Sequence, residues 1–304
     1  MDIVHIELDT VGNVLPPKHD KLLLIDADTI AFAAASTCEI AMDLLPREFY
    51  TDTEWEEIIS DPDYCDDTNI IYSMDVSIAF SRAREKIHKI MELSGGQVYE
   101  LFFTGGRDNF RYSVDSKYKA NRKSMHVPSG LKELKDMMIA ELGGTICTEW
   151  EADDEVVCRF YEDPLNTLVC AVDKDVLGSL PHAFNYYESN KYNIDMKFVT
   201  NSEQSILRHP YHQSLMGDTS DGIMGIYKVG KVKANKILDS AEQTEEDLWK
   251  AVADAYEVAG MSEFDAIGNM RLVRMDQLVR GVGNEWQLKL WLPPKSENSI
   301  NDIE

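Results

Sequence analysis

The sequence lacks long apolar segments, paired cysteines and an excess of basic residues. No apolar run in its 304 residues approaches the ~20 residues of a membrane-spanning helix, so we expect no contact with a membrane. The N-terminal segment carries acids instead of the basic start of a signal peptide, which favours a cytoplasmic protein. The five cysteines include no Cys-x-x-Cys pair, which argues against a cysteine zinc site and fits a reducing compartment.

Basic residues are few, and their distribution is more informative than their number. Lysine and arginine total 30 against 54 acids, a net charge of −24, which taken alone argues against a nucleic-acid partner. Residues 39–67 contribute −10 and residues 239–265 contribute −8, whereas residues 111–123 carry +4. We interpret residues 39–67 as a solvated, partly helical insertion and residues 111–123 as a surface that a polyanion would meet.

Apolar runs alternate with helical periodicity along the first 200 residues. The runs at residues 21–25, 98–103, 145–150 and 167–172 are typical of buried strands. Helical spacing at residues 74–93 and 131–142 lies between them, and a glycine pair closes each helix. This alternation predicts an α/β fold with a mostly parallel central sheet and flanking helices. A hairpin or short strands at residues 186–199 and a helical region at residues 244–280 should follow.

Carboxylates stand at the ends of three of these strands. Asp26 ends the first strand, Glu151 and Asp153 follow the third, and Asp173 and Asp175 follow the fourth. Because chemistry in parallel sheets collects beyond the carboxyl ends of the strands, we expect these groups to converge. An acidic first helical turn, favoured by the helix dipole, is the alternative interpretation of residues 151–154 taken alone.

Two later acids, Asp218 and Asp221, complete a candidate set of seven. Seven carboxylates in one pocket cannot all stay ionised without cations, and an oxygen-only set suits Mg²⁺ or Mn²⁺ better than zinc. Two such ions about 4 Å apart can activate a water and stabilise the leaving oxygen of a phosphodiester. The residues therefore predict metal-dependent phosphodiester hydrolysis. Asp154 is a further candidate ligand, as is Asp108, which follows the glycines after the second strand.

Glycines and lysines at residues 216–238 predict a helical hairpin that holds backbone phosphates through turn amides and a helix N-terminus. The alternative is a loop with a solvated lysine face. The hairpin candidates for DNA binding are Gly225, Lys228, Gly230, Lys231 and Lys233.

In the basic stretch, the DNA-binding candidates are Arg111, Tyr118, Lys119, Arg122 and Lys123. Tyr112 and Tyr118 could stack on a frayed base, with packing in the core as the alternative for each. His209 and His212 have a zinc-like spacing, but sulfur or further histidine partners are missing nearby, so we expect no metal role for them.

An ordered set of short motifs resembles the flap endonuclease/5′→3′ exonuclease family. The set comprises Leu-Ile-Asp26-Ala-Asp, Tyr118-Lys-Ala-Asn-Arg122, Glu151-Ala-Asp-Asp154, Asp173-Lys-Asp175 and Gly217-Asp218-x-x-Asp221. The match is closer to the 5′→3′ exonucleases of short-tailed phages, through residues 259–263 and the Leu-Trp pair at residues 290–291. The resemblance covers residues 21–292, with the motifs in the same order throughout.

The resemblance implies a PIN-like nuclease core at residues 1–200, with a basic gateway at residues 107–128. A helix–three-turn–helix DNA clamp would lie within residues 201–292, before a disordered tail at residues 293–304. The family removes nucleotides from 5′ ends of duplex DNA, cuts flaps and degrades RNA primers. This implies a role in phage replication, repair or recombination in the host cytoplasm, where the acidic insertion could dock a replication partner. Two Mg²⁺ ions, replaceable by Mn²⁺, are the expected cofactors, with K⁺ at the hairpin as a further candidate.

The resemblance also assigns roles to individual residues. The first metal would be served by Asp26, Glu151, Asp153 and Asp173, and the second by Asp173, Asp175, Asp218 and Asp221. Lys119 and Arg122 would contact the scissile phosphate. One departure concerns the second strand, after which the family commonly has an Asp. Gly105 stands there in this sequence, with Asp108 as the candidate replacement.

Two other functions are alternatives at this point. A haloacid-dehalogenase-type phosphatase would use Asp26 and Asp28 as its Asp-x-Asp pair, but it leaves Glu151 and Asp153 without a role. Asp28 is more typical of the first turn of a helix. A non-catalytic protein that binds branched DNA is opposed by the seven acids, which DNA binding alone would disfavour.

Overall fold

The structure is a computed structural model that describes residues 15–61, 63–65, 69–106 and 108–294, apart from the side chains of residues 65, 123 and 124. Its strands are β1 (His19–Asp26), β2 (Glu39–Asp43), β3 (Tyr64–Cys65), β4 (Ile70–Met74), β5 (Gly96–Thr104), β6 (Thr145–Cys147), β7 (Thr167–Ala171), β8 (His182–Asn185), β9 (Lys197–Thr200), β10 (Gly217–Asp218), β11 (Ile223–Met224), β12 (Leu278–Arg280) and β13 (Trp286–Leu288). Its α-helices are α1 (Asp28–Cys38), α2 (Asp52–Ser60), α3 (Val76–Ser94), α4 (Arg111–Val114), α5 (Leu131–Leu142), α6 (Ala152–Glu162), α7 (Lys174–Gly178), α8 (Glu203–Met216), α9 (Lys231–Asp239), α10 (Glu245–Val258) and α11 (Glu263–Val273). Short 3-10 helices lie at Arg47–Phe49, Ala120–Ser124, Asn190–Tyr192 and Val282–Asn284. Most of the predicted tail, residues 295–304, lies outside the described residues.

A sheet with the strand order β6-β5-β1-β7-β8-β9 forms the centre of the N-terminal region. Its neighbouring strands are parallel except for β8 and β9, which confirms the predicted mostly parallel α/β sheet. Strand β1 lies in the middle because it is apolar on both faces. Leu23 and Ile25 face the helices α1, α3 and α5, while Leu24 faces α6, since successive strand residues point to opposite faces.

Helix α3 has clear signals at both ends and matches the helix predicted at residues 74–93. The Asp75 side chain accepts hydrogen bonds from the N–H groups of Ser77 and Ile78 at its start. Gly95 ends it in the left-handed region, with φ of +84°, where a Cβ would lie 2.5 Å from the Pro17 carbonyl oxygen. The glycine therefore lets the chain turn tightly into β5, beside β1.

The acidic insertion contains strands that the sequence did not predict. Its described residues form β2, α2 and β3, and both strands pair antiparallel with β4, which follows the insertion. Strand β2 leaves most of its side chains exposed, so it lacks the buried face of a half-buried strand. The Glu39 side chain accepts a hydrogen bond from the Ser129 N–H at 2.6 Å, which joins the insertion to the end of the gateway segment.

Helices α8 to α11 enclose a second hydrophobic core. Tyr211 and Leu215 of α8 pack with Trp249 of α10 and Met270 of α11. Residues 278–280, which were expected to be helical, form β12 instead and pair with β13. None of the helices in the described ranges combines the length and the apolar character that a bilayer crossing requires.

Candidate active site

Acids from both regions of the chain meet at the carboxyl edge of the central sheet. Asp26 is the last residue of β1, Glu151 precedes α6 and Asp173 precedes α7. The C-terminal region adds Asp218 at the end of β10 and Asp221 shortly after it. One cavity is lined by six acids of the predicted set: Glu151, Asp153, Asp173, Asp175, Asp218 and Asp221.

Asp26 is the seventh acid, and its negative charge raises the pKa of Asp153. Burial, and then the negative charge of Asp28, raises the pKa of Asp26 to about 7. Burial, followed by the charges of Asp26 and Asp173, holds the pKa of Asp153 well above its usual range. Burial and the neighbouring Asp175 also raise the pKa of Asp173. These carboxyl groups therefore resist simultaneous ionisation, and a cation between them would reverse that effect.

The basic gateway segment reaches the acids through Lys119 and Arg122. Lys119 Nζ donates to Glu151 Oε1 at 2.7 Å, and the Arg122 guanidinium pairs with Asp221. The Lys119 N–H also donates to the Asp221 carbonyl oxygen at 2.7 Å. Burial raises the pKa of Glu151, but Arg111 and Lys119 outweigh it and leave that pKa below its usual value. A phosphate that entered the cavity would meet positive charge here.

Lys174 is a further basic residue at the site, one that sequence reasoning missed. It stands between Asp173 and Asp175, and its Nζ donates to Asp218 Oδ2 at 2.8 Å. Burial raises the pKa of Asp218, but hydrogen bonds from Lys174 and Ser220 leave it below its usual value. The position of Lys174 between two candidate ligands is the signal that could have revealed it.

The hydroxyl of Tyr118 joins acids from the two regions of the chain. It lies 2.9 Å from Glu151 Oε2 and 3.1 Å from Asp221 Oδ2. The ring is only 2% exposed and packs with Ile223 and Leu272. Of the two roles considered for Tyr118, stacking on a DNA base or packing in the core, the structure shows packing, because protein covers the ring.

Arg111 and Asp154 form a buried ion pair, so the roles predicted for both need correction. Arg111 Nη1 and Nη2 lie 2.5 and 2.8 Å from the two carboxylate oxygens of Asp154, which is 0% exposed. Arg111 Nε donates to the carbonyl oxygen of Leu272 at 2.9 Å. With its donors engaged inside the protein, Arg111 does not reach DNA, and Asp154 faces Arg111 instead of the shared cavity.

The predicted second strand is β5, and neither Gly105 nor Asp108, which follow it, brings an acid to the cavity. A Cβ at Gly105 would lie 2.7 Å from Ile146 Cγ2 and 3.1 Å from the Cys147 carbonyl oxygen, so the backbone packs too closely there for a side chain. Asp108 is exposed and does not line the cavity, which corrects its assignment as a replacement ligand.

The predicted hairpin places a glycine and lysines on an exposed surface. Lys228, Gly230, Lys231 and Lys233 are exposed around the start of α9, and the space beside Gly230 is open. Gly225 is different, because a Cβ there would lie 2.2 Å from the Met216 carbonyl carbon. That glycine permits the close approach of two chain segments. The side chain of Lys123, the remaining candidate of the basic stretch, lies outside the described part of the chain.

The donor set of the cavity fits a divalent cation that prefers oxygen. Asp175 Oδ1 is buried without a hydrogen-bond partner, although buried polar atoms are normally paired. Over the residues that the structure describes, no three His, Cys, Asp or Glu side chains already surround one ion position. Lys174 instead contacts Asp218, and Arg122 contacts Asp221. A divalent cation, with its higher charge, would compete with these two side chains for the same carboxylate oxygens.

Known proteins resemble this chain in fold and, at low identity, in sequence, although no protein-family model matches it. The chain is 24% identical to the exonuclease of Escherichia phage T7 over 304 residues, covering 90% of this chain and 93% of that protein. The flap endonuclease of bacteriophage T5, solved with DNA and metal ions, has a TM-score of 0.54 at 13% identity, with 84% of this chain and 89% of that chain covered. The T5 5′-exonuclease with bound zinc has a TM-score of 0.53 at 15% identity, with 85% and 90% covered.

These similarities agree with the ordered motifs and with the mostly parallel sheet. The resemblance predicted from the motifs is therefore confirmed: in fold, and over 90% of its length in sequence, the chain is similar to the flap endonuclease/5′→3′ exonuclease family, with phage enzymes among its relatives.

Proposed function

We propose that the chain hydrolyses phosphodiester bonds from the 5′ ends of duplex DNA, as a metal-dependent 5′→3′ exonuclease and flap endonuclease. The observation that carries this proposal is the meeting of seven acids at one edge of the sheet, beside the basic gateway. A polyanionic substrate needs cations between its phosphate and these acids, and fixed positive charge along its backbone. The relatives from phages T7 and T5 are named exonuclease and flap endonuclease, which supports the same activity here.

Two overlapping sets of acids would hold two divalent ions, Mg²⁺ or, as a substitute, Mn²⁺. The first set is Asp26, Glu151, Asp153 and Asp173, and the second is Asp173, Asp175, Asp218 and Asp221. Such ions, when bound, activate a water and stabilise the leaving oxygen of the phosphodiester. Asp173 belongs to both sets. The Asp175 N–H donates to Asp173 Oδ1 at 2.6 Å, which orients the Asp173 carboxylate at the start of α7.

Lys119 and Arg122 would bind the scissile phosphate. Burial lowers the pKa of Lys119, but Glu151 and Asp221 outweigh it and raise that pKa above its usual value, so the ammonium group stays charged. Tyr118 would act as a positioning residue, because its hydroxyl donates to one oxygen of the Glu151 carboxylate while Lys119 donates to the other.

The exposed hairpin would hold the duplex beside the cavity through Lys228, Lys231, Lys233 and the open backbone at Gly230. We extend the proposal to nicked and 5′-flapped DNA, to RNA primers in RNA–DNA hybrids and to a role in phage DNA replication. A K⁺ ion at the hairpin and a replication partner at the acidic insertion belong to the same proposal.

The phosphatase alternative is disfavoured by the surroundings of Asp28. Its Oδ1 is paired with Lys135 Nζ at 2.5 Å, and its Oδ2 accepts the Thr104 N–H at 2.9 Å. Asp28 therefore ties α1 to α5 and to the end of β5, and it does not line the cavity that the six acids share.

A product-length assay on 5′-labelled blunt, nicked and 5′-flapped duplexes tests the proposal. We expect short 5′ products with Mg²⁺ or Mn²⁺ and none in EDTA. Asp173→Asn should lower cleavage by at least about 10³-fold, because Asp173 serves both ions, while duplex binding persists. Asp195→Asn, at an exposed position away from the cavity, is the matched control and should cleave normally. Cleavage that persists in EDTA would contradict the metal dependence.

A further inference from the structure

Three buried polar atoms lie unpartnered where helix α8 passes α7. They are Asp175 Oδ1, His209 Nε2 and Gln213 Oε1; among the described residues, His212 Nε2 on α8 and His182 Nε2 on β8 are also buried without a partner. A buried polar atom without a partner is costly, and native proteins normally satisfy such atoms with protein, water or an ion. Three of them on facing helices therefore indicate a shared partner. Asp175 belongs to the acids described above, whereas the two α8 residues have no role in the mechanism so far.

The separation of Asp175 and His209 fits a ligand between them. Asp175 Oδ1 lies 3.6 Å from His209 Nε2, which is too long for a hydrogen bond. Two ligands that each lie about 2.1 Å from one ion can be separated by that distance.

Gln213 brings the third unpartnered atom into the same region. It follows His209 by four residues on α8, so both side chains lie on one face of the helix. Its side chain is only 6% exposed and lines the cavity that contains Asp175. A buried amide thus points into the carboxylate cavity without a partner for its oxygen.

The ring of His209 has a defined position because Gly178 leaves room for it. A Cβ at Gly178 would lie 2.6 Å from His209 Cε1 and 2.8 Å from His209 Nε2. The imidazole therefore lies directly over the last turn of α7, the helix that carries Asp175. This contact holds the ring beside the acid without any hydrogen bond to it.

We propose that Asp175, His209 and Gln213 form a mixed nitrogen and oxygen subsite for one divalent cation. The inference rests on the proposed function and deepens it, because the subsite would add two α8 ligands to the second ion. It also reverses the expectation that His209 has no metal role. Imidazole nitrogen favours Mn²⁺ and Co²⁺ over Mg²⁺, which prefers oxygen and water. The subsite therefore gives the second ion position a preference for transition metals.

Binding of Co²⁺ to the metal-free protein tests the subsite without any assay of activity. The wild type, His209→Asn and His212→Asn are titrated with Co²⁺ and, by competition, with Mg²⁺. His212 is the matched control, because it lies on the same helix and its Nε2 is also buried without a partner, but its ring is hydrogen-bonded to the backbone of Lys231, and it is His209 that lies 3.6 Å from Asp175 Oδ1. We expect His209→Asn to weaken Co²⁺ binding about tenfold or more and to change its visible spectrum, with Mg²⁺ binding altered far less. His212→Asn should match the wild type in both.

The outcomes separate this inference from the proposed function. If His209→Asn binds Co²⁺ with the wild-type affinity and spectrum, a water fills the gap and the inference is wrong. If the wild type binds no divalent ion and cleaves no duplex with Mg²⁺, the proposed function itself fails. Should His209→Asn not fold, Gln213→Glu decides, because a carboxylate there must tighten Co²⁺ binding, and an unchanged affinity would overturn the subsite.

Discussion

At the scale of single residues, the site depends on side chains whose roles are set by burial. Tyr118 has a phenol that could serve in DNA stacking or in the core, and the sequence leaves both open. The structure buries the ring and presents only the hydroxyl to Glu151 and Asp221. One O–H group can donate to only one acid at a time, so the other oxygen needs another positive partner. Lys119 lies near both acids and provides it.

Tyr118→Phe should reduce turnover on a 5′-flapped duplex about tenfold, since Glu151 loses a donor that orients it. The ring and its packing remain, so the free energy of unfolding should fall by only about 1 kcal/mol. Rapid-quench kinetics and urea unfolding measure the two effects. Tyr112→Phe is the control, because its ring packs edge-on against Tyr118 at 5.6 Å. A turnover equal to that of the wild type would show that the hydroxyl is not needed to position Glu151.

At the scale of secondary structure, the sequence predicts elements that are buried and local. Strands β1, β5 and β7 follow from contiguous apolar runs, and the meeting of the acids at or after the ends of β1, β6 and β7 is expected from the parallel topology. The sheet that includes the strands of the acidic insertion escapes prediction because these strands have no buried face, even where apolar side chains such as Ile40 and Met42 alternate. The Arg111–Asp154 pair is missed for a related reason, since charge in a sequence does not report burial.

The hairpin before α9 makes a prediction at this scale. Lys231→Ala removes one exposed positive charge next to the open backbone at Gly230. Duplex binding should weaken, and the slope of log K against log salt should become shallower by about one. Fluorescence anisotropy at several salt concentrations measures both. Lys250→Ala, on α10, removes the same charge elsewhere and should leave the slope unchanged. An unaltered slope for Lys231→Ala would place the DNA on another surface.

At the scale of the whole molecule, the buried Arg111 side chain joins the N-terminal region to the C-terminal helices. Arg111 extends from α4 to Asp154 on α6 and to the carbonyl oxygen of Leu272 on α11. Burial lowers the pKa of the Arg111 guanidinium, but Asp154 and Glu151 outweigh it and raise that pKa well above its usual value. Removal of the acid would leave a buried positive charge without its main partner.

Two adjacent acids should therefore respond in opposite ways to the same substitution. Asp154→Asn should lower the free energy of unfolding by about 3–5 kcal/mol, because Arg111 stays buried. Asp153→Asn should stabilise the metal-free protein, because the raised pKa of Asp153 means that its charged form opposes folding. That gain should be small below about pH 3, where the acid is protonated in both the folded and the unfolded state, and grow as the pH rises above the usual aspartate pKa. Urea unfolding in EDTA at several pH values measures it, and equal effects of the two variants would contradict this account.

The contact of the Tyr118 hydroxyl with both Glu151 and Asp221 has a consequence for how the N-terminal and C-terminal regions separate. Glu151 is fixed to the central sheet and Asp221 to the C-terminal helices, yet both lie against one phenol oxygen. A divalent ion bound among these acids would hold the central sheet and the C-terminal helices together. Its contribution to the free energy of their association would grow with the logarithm of the free ion concentration. Removal of the ion by a chelator should therefore weaken the contact between the central sheet and the C-terminal helices before either part unfolds. The rate of proteolysis at this contact would then change at magnesium concentrations that leave the melting temperature unaltered.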